Sequence, residues 1–182
     1  LADGGANHFR RTIEAVRALN PATIIEVLTP DFNAREAAID AVLAASPHIF
    51  NHNLETVRRL TPVVRSRATY DRSLSVLGYV KAKRDGTVHT KSGLMLGLGE
   101  TEEELLVALA DLRRVGCDLL TLGQYLQPTL RHLPVVEFVT PEKFAEYGAR
   151  AREIGFRHVA SAPMVRSSYH ADEFTLAASA MQ

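Results

Sequence analysis

Hydrophobic positions along this chain switch between two periods, and the switches mark out its elements. Phe9, Ile13 and Val16 recur at three-to-four spacing, one face of a helix, with Asn7 placed to cap it and Pro21 beyond its end. Residues 23–29 (Thr-Ile-Ile-Glu-Val-Leu-Thr) are rich in β-branched side chains and stop at Pro30, which predicts a strand. Asn33 and Glu36 have the spacing of a capping box, so a helix is expected to open there and run through Ala38, Ile39, Val42 and Leu43 to Ser46-Pro47. Residues 48–53 read as a second strand that turns polar at its end. Leu54, Val57 and Leu60 suggest a further helical stretch broken at Pro62. Leu74, Leu77 and Val80 place another helix over 72 to about 83, ahead of the turn signal Asp85-Gly86.

The alternation continues to the end. Residues 92–98 form a strand, and Thr101 with Glu104 makes a second capping box. The helix it opens carries Leu105, Ala108, Leu109, Leu112 and Val115, and Gly116 can end it. Residues 119–122 are a strand running into Gly123-Gln124-Tyr125-Leu126-Gln127-Pro128. Thr140-Pro141 opens a last helix through Phe144, Tyr147, Ala151 and Ile154, stopped by Gly155, and 158–161 is a short final strand. Strands alternating with helices imply βαβ units, a parallel sheet and an α/β fold. Three strand ends carry polar clusters: Asn51-His52-Asn53, Gly97-Leu98-Gly99-Glu100 and Gln124-Tyr125-Leu126-Gln127. In a barrel these ends share one face, where active sites are built. An open sheet with a ligand at its carboxyl ends fits the same pattern.

Composition narrows the function classes. The chain has 182 residues, enough for one domain with a real core, and 21 basic residues balance 21 acidic ones. That balance gives no electrostatic reason to expect nucleic acid or a lipid surface as partner. No apolar run approaches the ~18–20 residues of a membrane span. The single cysteine, Cys117, excludes an intrachain disulfide framework and weakly favours a reducing compartment.

Several segments could carry chemistry. Glycines 93, 97 and 99 at a strand end would let a backbone or flat ring approach closely, and the following helix start offers free N–H groups. A tight strand-to-helix turn would leave the same pattern. Asn51, His52, Asn53 and Glu55 supply amides and a carboxylate suited to ammonium, carboxylate and ribose groups, although helix capping by Asn53 is an alternative. His52 alone reads as a structural histidine, and Cys117 as a small buried residue. Lys91 could pair with a carboxylate or stand at a solvated strand end. Gln124 and its neighbours could fix a base edge or ribose. Arg166-Ser167-Ser168-Tyr169-His170 sets hydroxyls beside a guanidinium, a phenol and an imidazole, with Asp172 and Glu173 beyond. The Ser167–His170 spacing is not that of a known nucleophile motif.

Taken in order, Asp3-Gly4-Gly5-Ala6-x-His8-Phe9 and residues 27–32, 50–55, 91–100, 120–128 and 165–169 resemble the lipoyl synthase family of radical S-adenosylmethionine enzymes over nearly the whole chain. The resemblance implies a partial (β/α)6 barrel of TIM type. This chain would supply its C-terminal strands and helices through residue 164, with 165–182 as an extension. It implies two 4Fe–4S clusters and S-adenosylmethionine, and sulfur insertion at C6 and C8 of a protein-bound octanoyl group. Gly93, Met95 and Gly97 would lie along the adenine. Asn51, Asn53 and Glu55 would face the methionine and ribose, and Lys91, Ser92 and Gln124 would line the same mouth. Arg166 and Tyr169 would belong to the catalytic segment. Ser167, with Ser168 as the fallback, would be an oxygen ligand to the auxiliary cluster.

One departure is large. The family's two cysteine triplets, Cys-x3-Cys-x2-Cys and Cys-x4-Cys-x5-Cys, are not in this chain. The expectation is therefore a portion of a longer enzyme, inactive and marginally stable by itself. Expected partners are an octanoylated lipoyl-carrier domain or glycine-cleavage H protein, and an electron donor such as flavodoxin or ferredoxin. The expected compartment is the cytoplasm in a bacterium, or the mitochondrion or plastid in a eukaryote. Two alternatives remain: a non-catalytic truncated paralogue that binds a carrier domain, and a barrel enzyme using the Gly97–Thr101 turn as an anion site.

Overall fold

Each of the first four strands leads into helix before the next strand begins, so strands and helices alternate along the chain. The computed structural model describes residues 1–84 and 87–168; Asp85-Gly86 and the stretch from Tyr169 onward lie outside it. The elements are α1 (Ala6–Leu19), β1 (Glu26–Leu28), α2 (Glu36–Ala44), β2 (Ile49–Asn51), a single turn α3 (Thr61–Val64), α4 (Tyr70–Arg84), β3 (His89–Leu96), α5 (Glu102–Arg114), β4 (Leu119–Gln124), α6 (Pro141–Ile154) and β5 (His158–Ser161).

All strand pairings are parallel, and the spatial order is β1-β2-β3-β4-β5. A doubly wound sheet would reverse its order at a switch point. Here the order never reverses. Right-handed crossovers then put every helix on one face and leave the other concave, as in a barrel wall. This settles the choice between barrel and open sheet that the sequence left undecided.

The pleat sorts side chains between the two faces. Leu94 and Leu96 of β3 and Leu120 and Leu122 of β4 join Leu77, Leu105, Leu109, Leu112 and Phe144 in the core under the helices. A second core packs α1, α2 and α4 around Phe50, Ile39 and Val42. On the concave face Ile49 and Leu119 make a small cluster with Ala160. Toward the carboxyl ends the concave side chains become polar or absent: Lys91 across from Leu119, then Gly93, Thr121 and Gly123.

Several expected boundaries shift for local reasons. The first strand shrinks to Glu26–Leu28. Asn33 is not a cap. It sits in a left-handed turn (φ 54°) within a short 3-10 segment, and α2 begins after Arg35 without a side-chain cap. Asn7 lies inside α1, and Asp3 takes the capping role by accepting from the Gly5 and Asn7 N–H groups. Residues 54–60 are not helical. Leu54 and Val57 are buried by the loop crossing the strand ends, and Pro62 opens α3 rather than breaking a helix. The Thr101–Glu104 capping box forms as expected, as does the Thr140 cap on α6.

Candidate functional site

The strand ends open on a cavity of about 360 Å³, lined among others by Asn53, Glu55, Gly93, Met95, Thr121, Gly123, Gln124, Arg166 and Ser167. That volume falls in the range of pockets that take small-molecule ligands. Its floor is the concave face of β3 and β4. A Cβ on Gly93 would stand 2.7 Å from Thr121 Oγ1 and 3.0 Å from Asn53 Oδ1, so only a missing side chain keeps this part of the floor flat.

One wall comes from the loop after β2. Glu55 adopts a left-handed backbone (φ 71°) and bridges to β3, donating its N–H to Gly93 O and accepting from Met95 N–H. A non-glycine residue in that region is strained, and such strain clusters at functional sites. Burial pushes the Glu55 carboxyl above its ordinary range, while the Asn53 amide and the Arg65 charge pull partly the other way. Asn53 donates Nδ2 to Ser167 Oγ at 2.8 Å, while its Oδ1 is buried without a partner among the described residues. A buried carboxylate beside an unsatisfied carbonyl oxygen suits a cationic or hydroxyl-bearing ligand group.

The opposite wall is the segment after β5. The Ala162 N–H donates to Leu122 O, and the Gln124 N–H donates to Pro163 O. Val165 is buried, Arg166 exposed and Ser167 half-buried, with Arg166 Nη1 folded onto the Pro163 and Val165 carbonyls.

The structure thus brings Asn53, Glu55, Gly93, Met95, Gln124, Arg166 and Ser167 to one cavity. Others are placed elsewhere. Ser92 faces the helices, and its Oγ accepts from the Leu54 N–H. Asn51 is fully buried below the cavity and donates Nδ2 to Glu26 at 2.7 Å. Lys91 is fully buried rather than solvated and pairs with Glu26 at 2.9 Å. Gly97 supports the turn to α5: its φ is 94°, and a Cβ there would lie 2.2 Å from Glu137 O. Ser168 is exposed and away from the cavity lining, and Tyr169 lies outside the described residues.

Gln124 lines the cavity, but its amide is committed. Nε2 donates to the Tyr125 and Glu137 carbonyls, and Oε1 accepts from the Val139 N–H, which holds the β4–α6 loop over the mouth. The anion-site alternative at Gly97–Thr101 is answered internally. Glu100 accepts from the Gly97 and Leu98 N–H groups at 2.6 and 3.0 Å, and Glu104 accepts from Thr101. His52 is structural, held between Thr29 O and Ser73 Oγ.

Thr121 and Gly123 are site residues that the sequence reading missed. Their signal was the alternation in β4, where Leu120 and Leu122 take one face and Thr121 and Gly123 the other. Cys117 is wholly buried at the opposite end of β4, and burial pushes its thiol up to about 12. Among the described residues no group of three His, Cys, Asp or Glu side chains could hold a metal ion.

Comparison with known proteins follows this geometry. No family model matches the chain. It is 61% identical over 173 residues to lipoyl synthase 2 of Gloeobacter violaceus, covering 95% of this chain and 60% of that one. It is 57% identical over 175 residues to the lipoyl synthase of Caldicellulosiruptor saccharolyticus, covering 96% and 61%. Among solved structures it is similar to the radical S-adenosylmethionine methyltransferase TsrM from Kitasatospora setae (TM-score 0.50, 17% identity, 79% of this chain and 28% of that one). It is also similar to the HMG-CoA lyase from Brucella melitensis (TM-score 0.57, 14% identity, 94% and 58%). At these identities the two structures speak to the barrel-like fold alone. The chain spans about 60% of the length of the curated relatives it matches, and over that span it belongs to the lipoyl synthase family.

Proposed function

We propose that this chain is the part of a lipoyl synthase barrel that holds S-adenosylmethionine at the ends of β2, β3 and β4. The supporting observation is convergence. Asn53 and Ser167, 114 residues apart, meet at 2.8 Å on the rim of one cavity whose floor is Gly93 and Thr121. Glu55 and the free Asn53 Oδ1 would receive the ligand's ammonium or ribose hydroxyls. Gly93 would let a flat ring lie on the strand. Met95, Leu126, Pro128 and Val165 supply apolar wall that excludes water. When bound, S-adenosylmethionine supplies the hydrogen-abstracting chemistry of the family, and these residues orient it.

The iron–sulfur clusters are a different matter. This chain's own residues do not make a cluster site, since its one thiol is buried and held protonated at the far end of β4. The thiolates would come from the remainder of a longer protein. Ser167 would add a single oxygen ligand to the auxiliary cluster, with Ser168 second because it is exposed and does not line the cavity. Arg166, at the mouth, would meet the substrate, as would Tyr169. In that longer protein the reaction is sulfur insertion at C6 and C8 of an octanoyl group. The group would be carried by a lipoyl domain or glycine-cleavage H protein, with flavodoxin or ferredoxin as electron donor. The compartment would be the cytoplasm, or an organelle in a eukaryote.

Isothermal titration of residues 1–182 with S-adenosylmethionine tests the ligand reading. Saturable binding that weakens in Glu55→Gln and persists in Ser167→Ala is expected; no binding by a folded chain would sink it. Incubated with iron and sulfide, the chain alone should form no cluster absorption band and cleave no sulfonium. In a protein containing this chain and both cysteine triplets, Ser167→Ala should abolish lipoyl product while S-adenosylmethionine still binds. Undiminished product would remove Ser167 from the ligand set.

A further inference from the structure

We propose that Lys91 is a positioning residue, which with Glu26 ties the Arg166–Ser167 segment to the concave face and so sets Ser167 Oγ against Asn53. Two strands and the segment after β5 meet at one ammonium, and a third strand joins through Glu26. Lys91 Nζ on β3 donates to Glu26 Oε2 on β1 at 2.9 Å and to the Ser167 carbonyl at 2.7 Å. The other oxygen of Glu26 accepts from Asn51 Nδ2 on β2 at 2.7 Å. Ser167 is therefore gripped twice, at its carbonyl by Lys91 and at its hydroxyl by Asn53.

Stability alone does not account for this arrangement. The Lys91 side chain is 0% exposed and that of Glu26 16%, and a buried ion pair is commonly no more stabilising than apolar residues of the same volume. A methionine at 91 would occupy a similar buried volume. What it would lack is a donor for a carbonyl 76 residues further along the chain. That carbonyl follows the last strand, where few ladder bonds restrain the backbone. An ammonium has three donors and no acceptor, so it can hold a carboxylate and a carbonyl together. The register supports the same reading. Lys91 lies level with Asn51 and Leu119, and Gly93, two residues further along β3, already lines the cavity, so the lysine stands next to the level where the wall must be fixed.

The inference deepens the proposed ligand site, but its main readout does not depend on it. Backbone 15N order parameters are measured on residues 1–182 for wild type, Lys91→Met and the double variant Lys91→Met/Glu26→Gln. The double variant removes both charges of the Lys91–Glu26 pair together, so neither is left facing the vacated site of the other. In wild type, residues 166–168 should be as ordered as β3 and β4, at about 0.85. In both variants they should fall below about 0.6 while the strands stay unchanged. Variants that are folded with the segment still ordered, a wild type already mobile at Ser167, or loosening spread evenly over the sheet each overturn the proposal. If Lys91→Met does not fold, the double variant decides. S-adenosylmethionine is titrated into the same samples. A segment released by the variants in a chain whose wild type binds no S-adenosylmethionine refutes the ligand reading and leaves the positioning role standing.

Discussion

Gly123 is where the cavity wall is most sharply constrained. It lies in β4 beneath the segment that carries Arg166 and Ser167, and a Cβ there would stand 2.2 Å from the Val165 carbonyl oxygen and 3.2 Å from its carbon. An ordinary carbon–oxygen contact is more than an ångström longer, so in Gly123→Ala the 162–167 backbone must move away from the strand. Two hydrogen bonds hold it there, Ala162 N–H to Leu122 O at 3.2 Å and Gln124 N–H to Pro163 O at 3.1 Å. Each contributes about 1 kcal/mol net. Overpacking a well-packed site costs about 1–3 kcal/mol when the structure strains instead of yielding. Whichever route the segment takes, the variant should lose roughly 1–3 kcal/mol, and at ~2–4 °C per kcal/mol for a chain of this size its Tm should fall by about 2–12 °C. The control is Gly78→Ala in α4, where the new methyl would meet Val115 Cβ at an ordinary 3.4 Å. Helix propensity there favours alanine by about 0.5–1 kcal/mol, so that variant should be neutral or more stable. Urea and thermal unfolding followed by circular dichroism give the energies, and amide shifts at 162–167 show where the change falls. A Gly123→Ala protein within about 0.5 kcal/mol of wild type, with unmoved shifts at 162–167, would refute the reasoning.

Two further predictions concern charge. Asp118, at the start of β4, accepts from Lys81 Nζ at 2.8 Å and the Thr90 N–H at 3.0 Å, with Arg157 3.4 Å away. Burial works to raise its carboxyl, but His89, Lys81 and the Thr90 N–H outweigh it and hold it well below the ordinary value of 3.8. Asp118→Asn should cost about 2–3 kcal/mol, less than a fully buried pair because Lys81 and Arg157 can turn to water. Since the folded carboxyl titrates below the unfolded one, that contribution is fully present above pH ~4 and fades as the pH falls further. Urea midpoints that differ between the two proteins by the same amount at acid and neutral pH would contradict it. Glu55 has the opposite sign. Its folded carboxyl is raised above 4.5 by burial, so it destabilises the ligand-free fold progressively as pH rises through the folded value. Glu55→Gln should therefore match wild type near pH ~4 and exceed it in denaturant midpoint at neutral pH; a gap that closes on going to neutral pH would argue that Glu55 is already neutralised by a partner.

How far the sequence reached can be judged element by element. Hydrophobic period and cap chemistry are local, so α5 with its Thr101–Glu104 box, α6 behind Thr140-Pro141, and β5 were legible from neighbouring residues. The same local signals misled at Asn33, where a left-handed turn took the residue, and over 54–60, where Leu54 and Val57 are buried by a crossing loop instead of a helix face. Resemblance across ordered segments carried the family, because 53–61% identity over nearly the whole chain preserves motif order.

The site divides in the same way. Sequence named Asn53, Glu55 and Gly93 because polar groups and glycines gather at strand ends, and Met95, Arg166 and Ser167 through the family resemblance, but neither told neighbours along a strand apart. Only the pleat separates Lys91 and Gly93, on the concave face, from Ser92, on the helix face. Only the unreversed order of five parallel strands makes that face concave, and only register sets Asn51 beside Lys91 with Glu26 two residues back along the neighbouring β1, within reach of both. The residue types needed for a ligand pocket are written into the chain one position at a time. Which of them share a cavity depends on contacts between residues 65, 76 and 114 positions apart, which no local pattern encodes.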